Sequence, residues 1–242
     1  MAAPRAFGTV AMITVHHLNQ SRSQRVLWLL EELALPYQVV KYQRDKQTML
    51  APPELRAIHP LGKSPVLVDD GQVLAESGAI LDYLVERYDT ERALSPSPQP
   101  LEAPERLRYR YWMHYAEGSA MPPLLMSLVF GRIRSAKMPF FVRPIARAIV
   151  DKAMHGFVGP QLKLHLDWME RELAATGWFA GDRFTAADVQ MSFPVQAAAA
   201  RAGLQAYPNL AGFVQRIEQR PAYQRALQQG GPFELLGSGK AG

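Results

Sequence analysis

The chain predicts two domains of different class, a small α/β domain followed by an all-helical one. Three observations carry this reading. Strand-like and helix-like segments alternate from Met12 to Tyr88, a proline-rich stretch follows at Ser95-Pro96-Ser97-Pro98-Gln99-Pro100, and beyond it only helical periodicity is found. A length of 242 residues suits two domains, each large enough to bury a core. The boundaries expected are a loose tail over 1 to 11, the α/β domain over 12 to 90, a linker over 91 to 104 and the helical domain over 105 to 235.

The elements follow in order. Ile13 to Leu18 reads as a strand, and Arg22 to Ala34 as a helix whose Val26, Leu29, Leu30 and Leu33 form one apolar face. Leu35-Pro36 stops that helix. A second strand at about Tyr37 to Tyr42 completes a right-handed parallel βαβ unit. Arg44 to Ile58 is polar and proline-bearing, which predicts a loop with one short helix near Pro53 to Ala57. Val66 to Val68, the turn Asp69-Asp70-Gly71 and Val73-Leu74 read as a tight hairpin, because Asp-Gly tolerates positive φ. A helix from Ser77 to Tyr88 closes the unit, with Ile80, Leu81, Leu84 and Tyr88 on one side. Beyond the linker, helices are expected at about 105 to 130, 140 to 175, 186 to 202 and 209 to 228. Thr185-x-x-Asp188, flanked by Phe184 and Val189, is a capping box with a hydrophobic staple, and its role is structural.

Composition narrows the chemistry. Hydrophobic residues at 48% and charged residues at 20% are those of a soluble globular protein. No apolar run approaches the roughly 18 to 20 residues that span a bilayer, and the opening residues lack a signal-peptide core, so a cytoplasmic protein is expected. With no cysteine there is no disulfide, no thiolate metal site and no protein thiol nucleophile; sulfur chemistry must use a ligand's sulfur. The net charge of +5 comes from cations scattered among acids, which fits attraction for anionic ligands and gives no nucleic-acid stripe. The basic amphipathic stretch Phe130 to Phe157 is read as a solvated helix joining two longer ones; a mobile cover near a pocket and a membrane-surface segment are the alternatives, and membrane association is not expected.

The stretch with most chemical content is His59-Pro60-Leu61-Gly62-Lys63-Ser64-Pro65-Val66-Leu67, followed by Ala75-Glu76-Ser77-Gly78. Glu76 and Ser77 open a helix, where unpaired amides and the dipole favour an anion while Glu76 is free to accept from an ammonium. Taken alone, Ser77 reads equally well as a cap and Pro65 as the start of an edge strand. Ser21-x-x-Gln24 fits a capping box at the first strand–helix junction, and a capping hydroxyl still has a proton to donate to a ligand.

The order of these pieces, Ser64-Pro65 and Glu76-Ser77, a linker, then Thr185-x-x-Asp188, resembles the cytosolic glutathione S-transferases over about residues 12 to 230. Within that family, the run from His17 to Trp28 with His59-Pro60-Leu61-Gly62 looks most like a branch found in bacteria and fungi, here with a serine at the first strand–helix junction. The resemblance implies a thioredoxin-like N-terminal domain, a cis Ser64-Pro65 bond and glutathione as co-substrate, with no metal. It implies that Ser64 pairs through its main chain with the ligand's cysteine, that Glu76 and Ser77 hold the γ-glutamyl end, and that Lys63 meets the ligand backbone or glycyl carboxylate. Ser21 becomes the hydroxyl that stabilises the thiolate, with Ser23, Asn19 and Gln20 as alternatives and Arg22 and Arg25 nearby. Tyr111, Tyr115, Met121 and Met126 would line the electrophile pocket, although an aromatic stripe at helical spacing also fits a core. His114 and Glu117 receive no role. The implied activity is attack of the glutathione thiol on hydrophobic electrophiles, or on peroxides, by a homodimer; the alternative is a non-catalytic interaction module of the same fold.

Overall fold

Strands β1 (Ile13–Leu18) and β2 (Tyr37–Tyr42) run parallel, joined by helix α1 (Ser23–Glu32). In this computed structural model, which describes residues 12–45, 47–233 and 235, the short helix α2 (Glu54–Ile58) leads to the hairpin β3 (Val66–Asp69) and β4 (Gln72–Ala75). The tail expected over 1 to 11 lies outside the described residues. The sheet order is β2-β1-β3-β4, with β3 antiparallel to both β1 and β4. Asp70 and Gly71 both turn with positive φ, +51° and +76°, which a two-residue hairpin requires. Helix α3 (Ser77–Tyr88) packs against α1, completing a thioredoxin-like domain.

The helical domain comprises α4 (Pro104–Tyr115), α5 (Met121–Ser135), α6 (Arg143–Ala153), α7 (Gly159–Thr176), α8 (Ala186–Ala202), α9 (Pro208–Glu218) and α10 (Pro221–Gly230). Two π-helical turns, Ala116–Ala120 and Met154–Val158, join α4 to α5 and α6 to α7. The helix expected at 209 to 228 is two helices, because Arg220 is held extended (φ −68°, ψ 130°) before Pro221, which opens α10. The expected start of α1 is also corrected. Ser21 Oγ accepts the amide of Ser23 at 3.2 Å, and the Gln24 side-chain amide is buried without a partner, so no Ser21–Gln24 box forms.

The Thr185–Asp188 box does form and opens α8. The Asp188 carboxylate accepts the amides of Phe179 and Thr185, each at 2.8 Å, and burial still pushes its pKa up to about 6. The linker is anchored along the helical domain. Asp89 accepts the amides of Ala93 and Leu94 and the Ser95 hydroxyl, Arg183 donates to the carbonyls of Arg92, Ala93 and Ser95, and the Ala186 amide donates to Leu94.

One apolar core runs through both domains. At their junction the fully buried Trp28 ring lies 5.5 Å from Phe184 and 5.1 Å from Tyr223, centroid to centroid. Glu32 pairs with Arg220 at 2.6 Å and Glu31 with Arg225 at 2.7 Å, so α10 lies along α1. No described helix is long and apolar enough to cross a membrane.

Candidate functional site

A cleft of about 360 Å³ opens between the β1–α1 junction and the facing helices α5 and α8. Of the residues predicted from the sequence, Ser21, Lys63, Ser64 and Met121 line it, as does Gln20, one of the alternatives to Ser21. Ser64 sits where the β1–β3 ladder stops at His16–Val66. Its hydroxyl takes over the pairing, donating to the His16 carbonyl at 2.8 Å and accepting the Leu18 amide at 3.1 Å, while the Ser64-Pro65 bond is cis. Pro65 itself is buried.

Glu76 and Ser77 stand at the head of α3, outside the lining of this cleft. Glu76 is exposed with φ +70° and ψ 118°, a conformation costing a non-glycine residue on the order of 1 to 3 kcal/mol, which the surrounding fold must impose. Ile80 makes the first intrahelical bond, to the Glu76 carbonyl, which leaves the Ser77, Gly78 and Ala79 amides at the open end of α3. The Ser77 side chain is buried and its hydroxyl accepts from Arg25 at 2.7 Å.

The expectation for the aromatic stripe is corrected. Tyr111, Tyr115 and Met126 do not line the cleft. Tyr115 is buried in a ring cluster with Trp112 and bonds through its hydroxyl to His165 Nδ1 at 2.5 Å, and Tyr111 accepts from Trp168 Nε1 at 3.1 Å. The π turn after Tyr115 inserts an extra residue and rotates the helix by about 100°, so α4 turns its rings toward α7 while α5 presents Met121, Leu125 and Leu128 to the cleft.

Known proteins share this two-domain architecture. The family description "Glutathione S-transferase, N-terminal domain" matches residues 10–86, and "Glutathione S-transferase, C-terminal domain" matches residues 158–216. The chain is 38% identical over 221 residues to "Glutathione S-transferase 3" of Schizosaccharomyces pombe, covering 90% of this chain and 88% of that one. The chain belongs to the glutathione S-transferase family. "Glutathione S-transferase 1" of Saccharomyces cerevisiae is 34% identical, covering 91% of this chain and 96% of that protein. A crystal structure of a glutathione S-transferase from Actinobacillus pleuropneumoniae aligns with a TM-score of 0.73 at 33% identity, covering 92% of this chain and 94% of that one.

Within this glutathione S-transferase, sequence reasoning put Arg22 and Arg25 near Ser21 but gave no role to Glu117, the carboxylate that pairs with both. Glu117, in the first π turn, accepts from Arg22 Nε at 2.9 Å and from Arg25 at 2.6 Å. Arg25 is fully buried, also donates to the Gln190 carbonyl at 2.6 Å, and does not line the cleft. Burial pulls the Arg25 guanidinium down to about 10 against the opposing pull of Glu117, while the two arginines hold the Glu117 carboxyl below its ordinary value despite its own desolvation. A periodicity argument had no means of finding Glu117, since the π turn shifts its register.

A second missed feature is a buried relay. His17 Nδ1 lies 2.8 Å from Ser23 Oγ, which lies 2.7 Å from Ser21 Oγ at the cleft. Burial lowers the His17 pKa to about 4, partly opposed by the Gly230 carbonyl, so the ring is neutral at pH 7. Ser23 Oγ also reaches the Leu18 carbonyl at 3.3 Å; when the neutral ring carries its proton on the nitrogen turned toward Gly230, Nδ1 accepts from Ser23 and Ser23 Oγ is left to accept from Ser21.

Proposed function

We propose that this protein is a transferase that binds glutathione in the cleft, stabilises its thiolate through Ser21, and directs the sulfur at an apolar electrophile held against α5 and α8. The observation that carries the reading is the Ser21 hydroxyl, which lines the same cleft as Lys63 and Ser64 at the N-terminal end of α1. The β1–β3 pairing that ends before Ser64 leaves its main chain available to the ligand's cysteine residue. Glu76 accepts from the γ-glutamyl ammonium, and the open amides of α3 take the γ-glutamyl carboxylate, with Ser77 fixed by Arg25 at their head. Lys63 meets the glycyl carboxylate.

A thiol with its pKa near 8.5 is only a few per cent ionised at pH 7, so lowering it by one unit raises the reactive fraction almost tenfold. A thiolate is a charged acceptor and draws the Ser21 proton away from the neutral Ser23 oxygen. Serine keeps its proton throughout; the enzyme supplies a hydrogen bond and proximity to the electrophile. A peroxide is a second acceptor for the same sulfur. A homodimer and a cytoplasmic location belong to the same reading, as does the absence of a metal requirement.

The test is the ultraviolet absorbance of the bound thiolate followed against pH, with turnover of an aryl halide and an organic hydroperoxide. Ser21→Ala should raise the apparent thiol pKa by about one unit or more and lower kcat/KM at pH 7 by roughly ten- to a hundredfold. Full activity in Ser21→Ala on every substrate that wild type turns over would show that another group serves the sulfur.

A further inference from the structure

The cleft carries more positive charge than one glutathione can use. Arg22, Arg44, Lys63, Arg132 and Arg201 line it, and no carboxylate does so among the described residues. Glu117, just behind, is committed to Arg22 and Arg25. Arg44, Arg132 and Arg201 have no ion-pair partner among the described residues; Arg44 donates to the carbonyls of Met49 and Gln20, and Arg201 to that of Leu124 at 3.3 Å. The Nε atoms of both Arg44 and Arg201 are buried without a partner. Burial, and then the repulsion of Arg22 and Arg132, hold both guanidiniums below their ordinary value, so these cations crowd one another.

Two of the cations stand on the far wall. Arg132 belongs to α5 and Arg201 to α8, beside the apolar Met121, Leu125, Leu128 and Phe193. Glutathione brings two carboxylates and one ammonium, a net charge of −1 as the thiol and −2 as the bound thiolate, whose added charge is met at Ser21. Its γ-glutamyl carboxylate is accounted for at α3 and its glycyl carboxylate at Lys63 and Arg44. Arg132 and Arg201 are then left facing the space of the second substrate with nothing to neutralise them. The half-buried Arg201, with its Nε unpartnered, is costly in this state unless a ligand supplies the counter-charge, and the exposed Arg132 adds its own attraction for an anion at the mouth of the cleft.

We infer that the acceptor taken by this enzyme is an apolar molecule bearing its own anionic group, a carboxylate, sulfonate or phosphate, held by Arg132 and Arg201 while its apolar body packs on Met121, Leu125, Leu128 and Phe193. The inference rests on the glutathione reading above and adds the class of the second substrate. A neutral electrophile would leave the two guanidiniums without a partner, whereas an acidic one is oriented by them with its reactive carbon toward Ser21.

Calorimetric titration of the full chain with S-benzylglutathione and S-(4-carboxybenzyl)glutathione tests it, since the two differ only by the carboxylate and binding needs no turnover. Wild type should bind the carboxylated conjugate about tenfold more tightly, and the ratio should fall to within about twofold in the double variant Arg132→Gln, Arg201→Gln. Should the double variant fail to fold, Arg132→Gln alone, on the exposed side of α5, should reduce the ratio by about threefold. Equal affinities in wild type, or a ratio that survives the substitutions, would overturn the acceptor class and leave glutathione binding intact. If wild type binds neither conjugate, the glutathione reading itself fails, and this inference with it.

Discussion

His17 shows how a side chain with no access to substrate still bears on the site. It is 4% exposed, its Nδ1 is engaged by Ser23, and the Gly230 carbonyl faces its other edge. An unfolded histidine takes up a proton near pH 6.5, whereas this one in the fold does so only near 4. The folded state therefore binds fewer protons between those values, so the contribution of His17 to stability is present above pH 6.5 and lost as the pH falls toward 4. The loss between pH 7 and pH 5 comes to about 2 kcal/mol. Urea denaturation at the two pH values should show wild type losing about that much more than His17→Gln, and equal losses would count against a neutral buried ring. The same residue marks a limit of sequence reading: Ser21 was found because it stands at a strand–helix junction, while the Ser23–His17 contact behind it depends on how β1 and α1 pack.

At the scale of elements, two features at helix ends differ in how readable they were. Thr185-x-x-Asp188 is local, its spacing equals one helical turn, and the structure contains the reciprocal bonds that such spacing predicts. The π turn at Ala116–Ala120 has no comparable signature, yet it turns Glu117 toward Arg22 and Arg25 and turns the α4 rings away from the cleft. Tyr115, read as a pocket residue, belongs to the core instead, and Tyr111 stands exposed outside the cleft. The parallel βαβ unit, the hairpin and the helical class of the second domain were legible because hydrophobic period and turn residues are local; the convergence of Arg44, Arg132 and Arg201 on the cleft was not, because they come from three separate segments. The π turn also carries a prediction. Glu117→Ala leaves Arg25 fully buried with only the Ser77 hydroxyl and the Gln190 carbonyl, and the third of the Glu117 side chain that is exposed moderates the loss. We expect about 2 to 3 kcal/mol of destabilisation by urea denaturation. A loss under about 0.5 kcal/mol would mean that the pair is no better than a surface ion pair.

Over the whole molecule, the two domains share one core, an anchored linker and a junction built on Trp28, so they should unfold together. Far-ultraviolet circular dichroism, dominated by the helical domain, and tryptophan fluorescence, which includes Trp28, are expected to give superimposable urea transitions; separated midpoints would show that the domains melt independently. Helix α10 ties the two domains together: it follows every other element among the described residues and yet packs along α1, through Tyr223 on Trp28, Arg220 at its head on Glu32, and Arg225 on Glu31. Gly230, at its end, comes so close to α1 that a side-chain carbon there would stand 2.8 Å from Leu27. Synthesis on the ribosome runs in the opposite sense. The first domain leaves the exit tunnel with one side of α1 uncovered, and its covering arrives only when residues 221 to 230 emerge, so the nascent chain has to hold an unfinished amino-terminal half until the whole helical domain has been made.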